Sequence, residues 1–220
     1  SLSKDDPLVY VQLGVVLEEL KQFDKACMIY EEAMSNNIEN YLIYYNWGNC
    51  LYQMEDYEMA IAKYSEAVKL NDEDANIFNN WGNCYYQLGE YDESEEKYEN
   101  ALQRNVVDPK IHHNLGNVYF CKKKYYKASM SYKQGIILEY IIRKGFNEGG
   151  IIKFLNNYPE LQNKDSIVRS VKKIQQLSFY SSDKKSERKR CFEFFEKLLK
   201  AFNIAYIGSL LYHTSGNIVK

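Results

Sequence analysis

Residues 45–53 read YNWGNCLYQ, and residues 79–87 read NNWGNCYYQ. The two stretches lie 34 residues apart and share a tryptophan, a glycine and an asparagine at corresponding positions. Their central glycines belong to a longer series, because Gly14, Gly48, Gly82 and Gly116 follow one another at intervals of 34 residues. A fixed period of this length, present in four copies, predicts an array of repeated structural units.

Other positions keep the same register as the glycines. A leucine or tryptophan precedes each glycine: Leu13, Trp47, Trp81 and Leu115. A small residue follows each glycine by twelve positions: Ala26, Ala60, Ser94 and Ala128. A tyrosine follows it by sixteen positions: Tyr30, Tyr64, Tyr98 and Tyr132. Apolar side chains at helical spacing over 43–53 and 77–88 predict helices. The small residues at Gly48 and Gly82 predict that a second helix approaches the first closely.

This pattern resembles the tetratricopeptide repeat (TPR), whose unit carries W-x2-L-G-x2-Y and then A-x3-F-x2-A. The resemblance covers four units at 7–40, 41–74, 75–108 and 109–142. It implies an all-α, right-handed superhelical solenoid of helix-turn-helix repeats with a concave binding face. The departures are modest, since the proline usual near the end of the unit is absent and Ser94 and Gly135 stand where alanine is common.

The residues that precede the repeats predict where the helices begin. Asp6, Asn40, Asp74 and Asp108 recur at one position, and their side-chain oxygens can accept hydrogen bonds from the free backbone N–H groups of a first turn. Proline follows two of these residues, at the first helical position, where it costs least.

In this family the first helix of each repeat lines the concave surface. Carried over position by position, the resemblance assigns peptide binding to two asparagine columns, an aromatic column and two residues of the fourth repeat: Asn46, Asn80 and Asn114; Asn49, Asn83 and Asn117; Tyr52, Tyr86 and Phe120; Lys110 and His113. An asparagine amide both donates and accepts. We therefore expect these amides to bind the backbone of an extended peptide. The alternatives are that the asparagines, above all the second column, brace neighbouring helices, and that the aromatic column packs between repeats.

The best-known ligands of the family are acidic chaperone tails, which are held by a dicarboxylate clamp of lysine, arginine and asparagine side chains. Asn49, Asn80 and Lys110 stand in register for this clamp. Tyr45 and Asn114, however, occupy the positions of its other lysine and its arginine. Two of the three cations are missing, so the sequence disfavours chaperone C-terminal tails as partners.

The 34-residue columns end after Arg143, and the chemistry of the chain changes there. Residues 143–220 form a predicted basic helical region, with helical patterns at 148–157, 165–180 and 187–213. It is either a capping helix region or the start of a further repeat. Residues 1–108 hold 22 acidic and 7 basic residues, whereas residues 109–220 hold 8 and 21. This division favours attraction between the halves. It supports an alternative function, a structural or assembly subunit that self-associates or joins a larger complex.

The sequence contains no recognisable catalytic motif. It has no Gly-x-x-x-x-Gly-Lys loop, no Gly-x-Ser-x-Gly elbow and no His-Glu-x-x-His pair. The five cysteines include no Cys-x-x-Cys pair, which predicts reduced, buried thiols in a cytoplasmic or nuclear protein. Cys50 and Cys84 share one repeat position and are predicted to be core residues. We therefore expect a protein that is not an enzyme, without cofactor or metal, whose partner is a protein, a peptide or a second copy. Membrane and nucleic-acid partners are disfavoured.

Overall fold

The computed structural model describes residues 6–144 and 148–157. These residues form helices and no strand: α1 (Pro7–Glu19), α2 (Phe23–Ser35), α3 (Tyr41–Gln53), α4 (Tyr57–Leu70), α5 (Ala75–Leu88), α6 (Tyr91–Arg104), α7 (Pro109–Cys121), α8 (Tyr125–Lys144) and α9 (Glu148–Leu155). The chain divides into two compact units. Unit 1 comprises Ser1–Val106 and Lys110–Ser131, and unit 2 comprises Val107–Pro109 and Tyr132–Lys220.

Unit 1 is a stack of antiparallel helix pairs. Within each pair, α1 contacts α2, α3 contacts α4 and α5 contacts α6, while α2 contacts α3 and α4 contacts α5 between pairs. A single pair cannot bury its apolar face, but stacking the pairs produces a continuous core. The predicted all-α solenoid of helix-turn-helix repeats is confirmed.

Three of the four predicted N-caps begin the first helices of their repeats. The carboxylate of Asp6 accepts a hydrogen bond from the Leu8 backbone N–H at 2.9 Å. Asn40 and Asp74 make the same bond to the residue two positions later, at 2.8 Å and 2.9 Å. Each bond satisfies one backbone donor that has no partner inside its helix.

The glycine column allows the two helices of a repeat to pack tightly. A Cβ atom placed on Gly48 would lie 2.6 Å from the Tyr64 ring, and one on Gly82 would lie 2.8 Å from the Tyr98 ring. Both rings are almost completely buried. The close approach predicted from the glycines is therefore confirmed, and the group that occupies the space is the tyrosine sixteen residues later.

The turn after each first helix contains a residue in the left-handed conformation. Lys21, Glu55, Gly89 and Lys123 share one repeat position and have φ angles of 57°, 62°, 78° and 58°. The residue that follows each of them donates its backbone N–H to the carbonyl five positions before it, as in the helix-ending Schellman motif. Only the third repeat places glycine, which adopts this conformation without strain, at this position.

The core of unit 1 follows the repeat columns. Its fully buried side chains include Ile43, Ile77 and Ile111 on the first helices and Tyr30, Tyr64 and Tyr98 on the second helices. Cys50 and Cys84 are also fully buried, as their shared position predicts. Cys27 and Cys121, by contrast, are only half-buried. The general prediction of buried thiols therefore fails for these two side chains.

The described helices of unit 2 also bury apolar side chains. Ile137, Leu138 and Ile141 of α8 and Ile151 and Leu155 of α9 are buried. With 20 residues, α8 is the longest of the described helices. The helix predicted over 148–157 is confirmed by α9. The patterns at 165–180 and 187–213 lie outside the described residues. No helix in the described part of the chain is both long and apolar enough to cross a membrane.

Candidate functional site

The predicted groove residues lie on the first helices of repeats two, three and four. Asn46 of the first asparagine column is buried, whereas Asn80 and Asn114 are half-buried. In the second column Asn49 and Asn83 are half-buried and Asn117 is exposed. Lys110 is exposed and His113 is half-buried at the fourth repeat.

Between repeats two and three, asparagine and tyrosine side chains form a hydrogen-bond network. The Asn80 amide donates to the Tyr45 hydroxyl at 3.1 Å and to the Asn49 carbonyl oxygen at 2.9 Å. The Tyr64 hydroxyl of α4 donates to the same Asn49 oxygen at 2.8 Å. Asn49 therefore joins both helices of its own repeat to the first helix of the next one.

The same arrangement recurs between repeats three and four. The Asn114 amide donates to the carbonyl oxygens of Asn79 and Asn83 at 3.0 Å and 3.2 Å. The Tyr98 hydroxyl donates to the Asn83 oxygen at 2.6 Å. We call these two sets of bonds the asparagine ladder. In the ladder Asn49 and Asn83 brace neighbouring helices, which is the alternative given above for the second asparagine column. Asn80 and Asn114 of the first column take part in the same hydrogen bonds.

The ladder leaves specific hydrogen-bonding atoms unused. The Asn83 carbonyl oxygen already accepts two hydrogen bonds, so Asn83 retains only the N–H groups of Nδ2. Asn114 donates both of its amide protons within the ladder and retains its oxygen Oδ1. Asn80 occupies the same repeat position as Asn114, but its oxygen is already used, because it accepts a hydrogen bond from the Asn79 amide at 3.1 Å. The repeat three–four junction thus presents one amide donor and one amide acceptor.

Asn83 and Asn114 both line a cleft of about 270 Å³. The cleft is lined by Tyr52, Asn83, Tyr86, Gln87, Tyr98, Asn114 and Asn117. The Gln87 amide donates to the Tyr52 hydroxyl at 3.2 Å, which joins the second and third repeats at the rim. The lining therefore combines amide side chains with tyrosine rings. Such a combination is suited to a peptide group and its side chain.

Each aromatic residue of the groove is held by a second aromatic residue at the start of the following helix. The ring centroids of Tyr52 and Tyr57 are 5.4 Å apart, those of Tyr86 and Tyr91 are 5.8 Å apart, and those of Phe120 and Tyr125 are 5.6 Å apart. Their tilted or edge-to-face geometry is the favourable one for aromatic pairs. Phe120 remains 58% exposed. The aromatic column is therefore fixed in place while part of its surface stays accessible.

The ladder is electrically neutral. Burial raises the pKa of the Tyr64 and Tyr98 hydroxyls well above the usual range, so both remain protonated donors. Burial likewise raises the pKa of the Cys84 thiol to about 12, which makes it unsuited to act as a nucleophile. Among the described residues, no cluster of three or more His, Cys, Asp or Glu side chains could hold a metal ion.

Five ladder and cleft residues were absent from the sequence-predicted site: Tyr45, Tyr64, Asn79, Gln87 and Tyr98. The sequence did contain a signal for them. Three of the contacts, Tyr45–Asn80, Tyr52–Gln87 and Asn79–Asn114, join residues 35 positions apart. A polar pair at one repeat length plus one residue is therefore a signature of bonding between adjacent first helices.

Comparison with known families identifies the repeat. Residues 8–37 match a family model described as Tetratricopeptide repeat. Residues 48–89 and 82–123 match one described as TPR repeat. No curated protein sequence matches the chain.

Solved structures of MamA proteins share the fold. MamA 41-end from Desulfovibrio magneticus RS-1 aligns with a TM-score of 0.58 at 20% identity, covering 62% of this chain and 77% of that one. A structure titled MamA AMB-1 P212121 aligns with a TM-score of 0.57 at 18% identity, covering 64% and 83%. Another, titled Crystal structure of MamA, gives 0.55 at 19% identity, covering 75% and 95%. At this level of identity the similarity concerns the fold alone.

Proposed function

Because this chain is a tetratricopeptide-repeat protein, we propose that it is a non-catalytic interaction scaffold that binds an extended peptide along the concave, asparagine-lined face of its first helices. The observation that supports the proposal is the pair of unused amide atoms at the junction of repeats three and four. Asn83 Nδ2 supplies a donor and Asn114 Oδ1 an acceptor, on neighbouring side chains that line one cleft. A peptide group carries one N–H donor and one C=O acceptor, so it needs one acceptor and one donor as partners.

The ladder makes these two groups effective binding elements. Both side chains are held by hydrogen bonds within the protein, so little conformational freedom is lost when a ligand binds. Their orientation is also fixed, since reversing the Asn83 amide would place a donor against the Asn114 amide. A peptide carbonyl would accept from Asn83, and a peptide N–H would donate to Asn114.

The walls of the cleft indicate which peptides fit. Tyr52 and Tyr86 offer aromatic surface, and no charged residue lines the cleft. We therefore expect the bound segment to be neutral at this point and to place an apolar or aromatic side chain between the two rings. Affinity that comes from amide hydrogen bonds and aromatic contact depends weakly on salt. This separates the proposed mode from a charge clamp.

The proposal is tested with peptides selected from a random display library against the whole chain. The tightest binder is labelled, and its affinity is measured by fluorescence anisotropy. Asn83→Ala should weaken binding by about tenfold, because it removes one hydrogen bond of roughly 1.4 kcal/mol in a shielded site. Methylation of single backbone nitrogens in the peptide should reveal one position that contributes similarly.

Asn79→Ala is the matched control for the Asn83 variant. Asn79 and Asn83 accept hydrogen bonds from the same Asn114 amide, at 3.0 Å and 3.2 Å, but only Asn83 lines the cleft. Both variants should lose similar stability, and only the Asn83 variant should lose affinity. Equal loss of affinity in both would show that the ladder has only a structural role. Failure to select any groove-binding peptide would refute the proposal.

A second candidate function, assembly through oppositely charged surfaces, is supported by the charge division of the chain. Unit 1 contains a small example of such pairing, because Lys122 after α7 forms ion pairs with Asp92 and Glu95 of α6. Light scattering at low and high salt tests this candidate. Oligomers that dissociate in high salt would favour it, and a salt-independent mass would count against it.

A further inference from the structure

The first helix of repeat one carries a carboxylate where the later repeats carry an aromatic ring. Glu18 of α1 stands one repeat length before Tyr52 and two before Tyr86, so it occupies the position of the aromatic column. Both tyrosines line the cleft, and Glu18 is half-buried. The column of groove residues therefore changes from aromatic to acidic at repeat one.

The position of Glu18 faces the following repeat. At the same position in repeat two, the Tyr52 hydroxyl accepts a hydrogen bond from Gln87 of repeat three at 3.2 Å. Burial first, and the charges of Asp74 and Glu18 after it, raise the pKa of the Tyr45 hydroxyl. The carboxylate of Glu18 thus lies close enough to this ladder residue of repeat two for its charge to act on it. We conclude that Glu18 belongs to the groove surface.

The fold needs a hydrogen-bond acceptor at this point, but it does not need a charge. The buried Tyr30 hydroxyl donates to Glu18 Oε1 at 2.7 Å. In repeat two the equivalent hydroxyl, that of Tyr64, donates to the neutral amide oxygen of Asn49 at 2.8 Å. Val15 stands at the position of Asn49 in repeat one and has no acceptor, so Glu18 supplies it. An amide would serve equally well in this role, which leaves the charge of Glu18 without a structural purpose.

The charge of Glu18 is also not neutralised by a neighbouring cation. Among residues 6–144 and 148–157, no lysine, arginine or histidine forms an ion pair with it. Burial raises the pKa of the Glu18 carboxyl, because desolvation disfavours the charged form. A cation brought by a ligand would stabilise the carboxylate through charge-assisted hydrogen bonds, which are stronger than neutral ones.

We propose that Glu18 binds a lysine or arginine side chain of the peptide in the groove and thereby selects basic sequences and sets the direction of the bound segment. The inference rests on the proposed function of the groove. It also predicts a spacing. The cleft is centred on α5, two first helices away from α1, and packed helices lie about 8–10 Å apart. Since an extended chain rises about 3.3 Å per residue, the cation should lie about five or six residues from the side chain held between Tyr52 and Tyr86.

The test uses random display peptides that are long enough to reach from the cleft to Glu18, selected against the whole chain. The selected sequences should share a lysine or arginine at the expected distance from an apolar or aromatic residue. Replacing this basic residue by norleucine should weaken binding to the wild type by about tenfold, as fluorescence anisotropy measures, because a hydrogen bond to a charged group is lost. The same replacement should leave binding to Glu18→Gln almost unchanged. Glu18→Gln keeps an acceptor for Tyr30, and circular dichroism checks that it is folded.

Glu32→Gln is the matched control, because it removes one carboxylate from an exposed site on α2, the second helix of the same repeat. In this variant the norleucine replacement should keep its full effect. Selected peptides that bind in an Asn83-dependent way but share no basic residue would overturn the inference and leave the proposed groove function intact. A norleucine penalty that persists in Glu18→Gln would do the same, because the cation would then bind elsewhere. If no groove-binding peptide is selected, the proposed function fails and this inference fails with it.

Discussion

Replacing Gly48 by alanine tests how the two helices of a repeat are held together. The added Cβ would lie 2.6 Å from Tyr64 Cε1 and 2.9 Å from Cδ1, distances that no carbon pair tolerates. The Tyr64 ring is 1% exposed, so it is enclosed by other atoms of the protein. Its hydroxyl is also held by Asn49 at 2.8 Å. The ring must therefore shift and stretch or break that hydrogen bond.

Three effects set the magnitude. Overpacking a close-packed site costs about 1–3 kcal/mol. Losing the Tyr64–Asn49 hydrogen bond adds about 1 kcal/mol. The better helix propensity of alanine offsets about 1 kcal/mol. We therefore expect Gly48→Ala to lower the free energy of unfolding by about 1–3 kcal/mol.

Urea denaturation followed by circular dichroism measures this change. A double-mutant cycle with Tyr64→Leu isolates the contact between the two residues. In the Tyr64→Leu background the clash is relieved, so Gly48→Ala should become neutral or stabilise the protein by up to about 1 kcal/mol. If Gly48→Ala stabilises the wild-type protein by that amount, the ring does not occupy the space above the glycine, and the account of the glycine column is wrong.

Three further predictions concern other parts of unit 1. Glu55→Gly should raise the free energy of unfolding by about 1 kcal/mol, as measured in urea, because Glu55 holds a left-handed φ of 62° without being glycine. Trp81→Phe should destabilise the protein by less than about 1 kcal/mol in thermal unfolding, because the buried Trp81 indole N–H has no hydrogen-bond partner among the described residues and its removal leaves no donor unsatisfied. Lys122 lowers the pKa of Asp92 below its ordinary 3.8, so this ion pair stabilises the fold above that pH, and its contribution is lost as pH falls through the lowered value. The difference in unfolding free energy between the wild type and Lys122→Met should therefore shrink on acidification. A difference that does not depend on pH would contradict this role of the ion pair.

The architecture of unit 1 could be predicted from the order of its amino acids alone. A 34-residue period, carried by glycines, tyrosines and small residues, specifies which helix faces meet, because each column must find the same environment in every repeat. The N-caps at Asp6, Asn40 and Asp74 were also readable, since their action is local and depends only on the residues that follow. The cores formed by Tyr64 and Tyr98 follow from the same columns.

The use of the asparagine columns could not be predicted without the packed helices. Whether an amide braces a neighbour or faces a ligand depends on distances between helices that are 31 or 35 residues apart in the chain. The sequence shows that Asn83 and Asn114 share the groove-facing helices, but not that one retains a donor and the other an acceptor. The exposure of Leu13 and Val16 is decided in the same way. The residues at the same positions in repeats two and four are buried, whereas Leu13 and Val16 expose 45% and 51% of their surfaces, because burial is a property of neighbours in space.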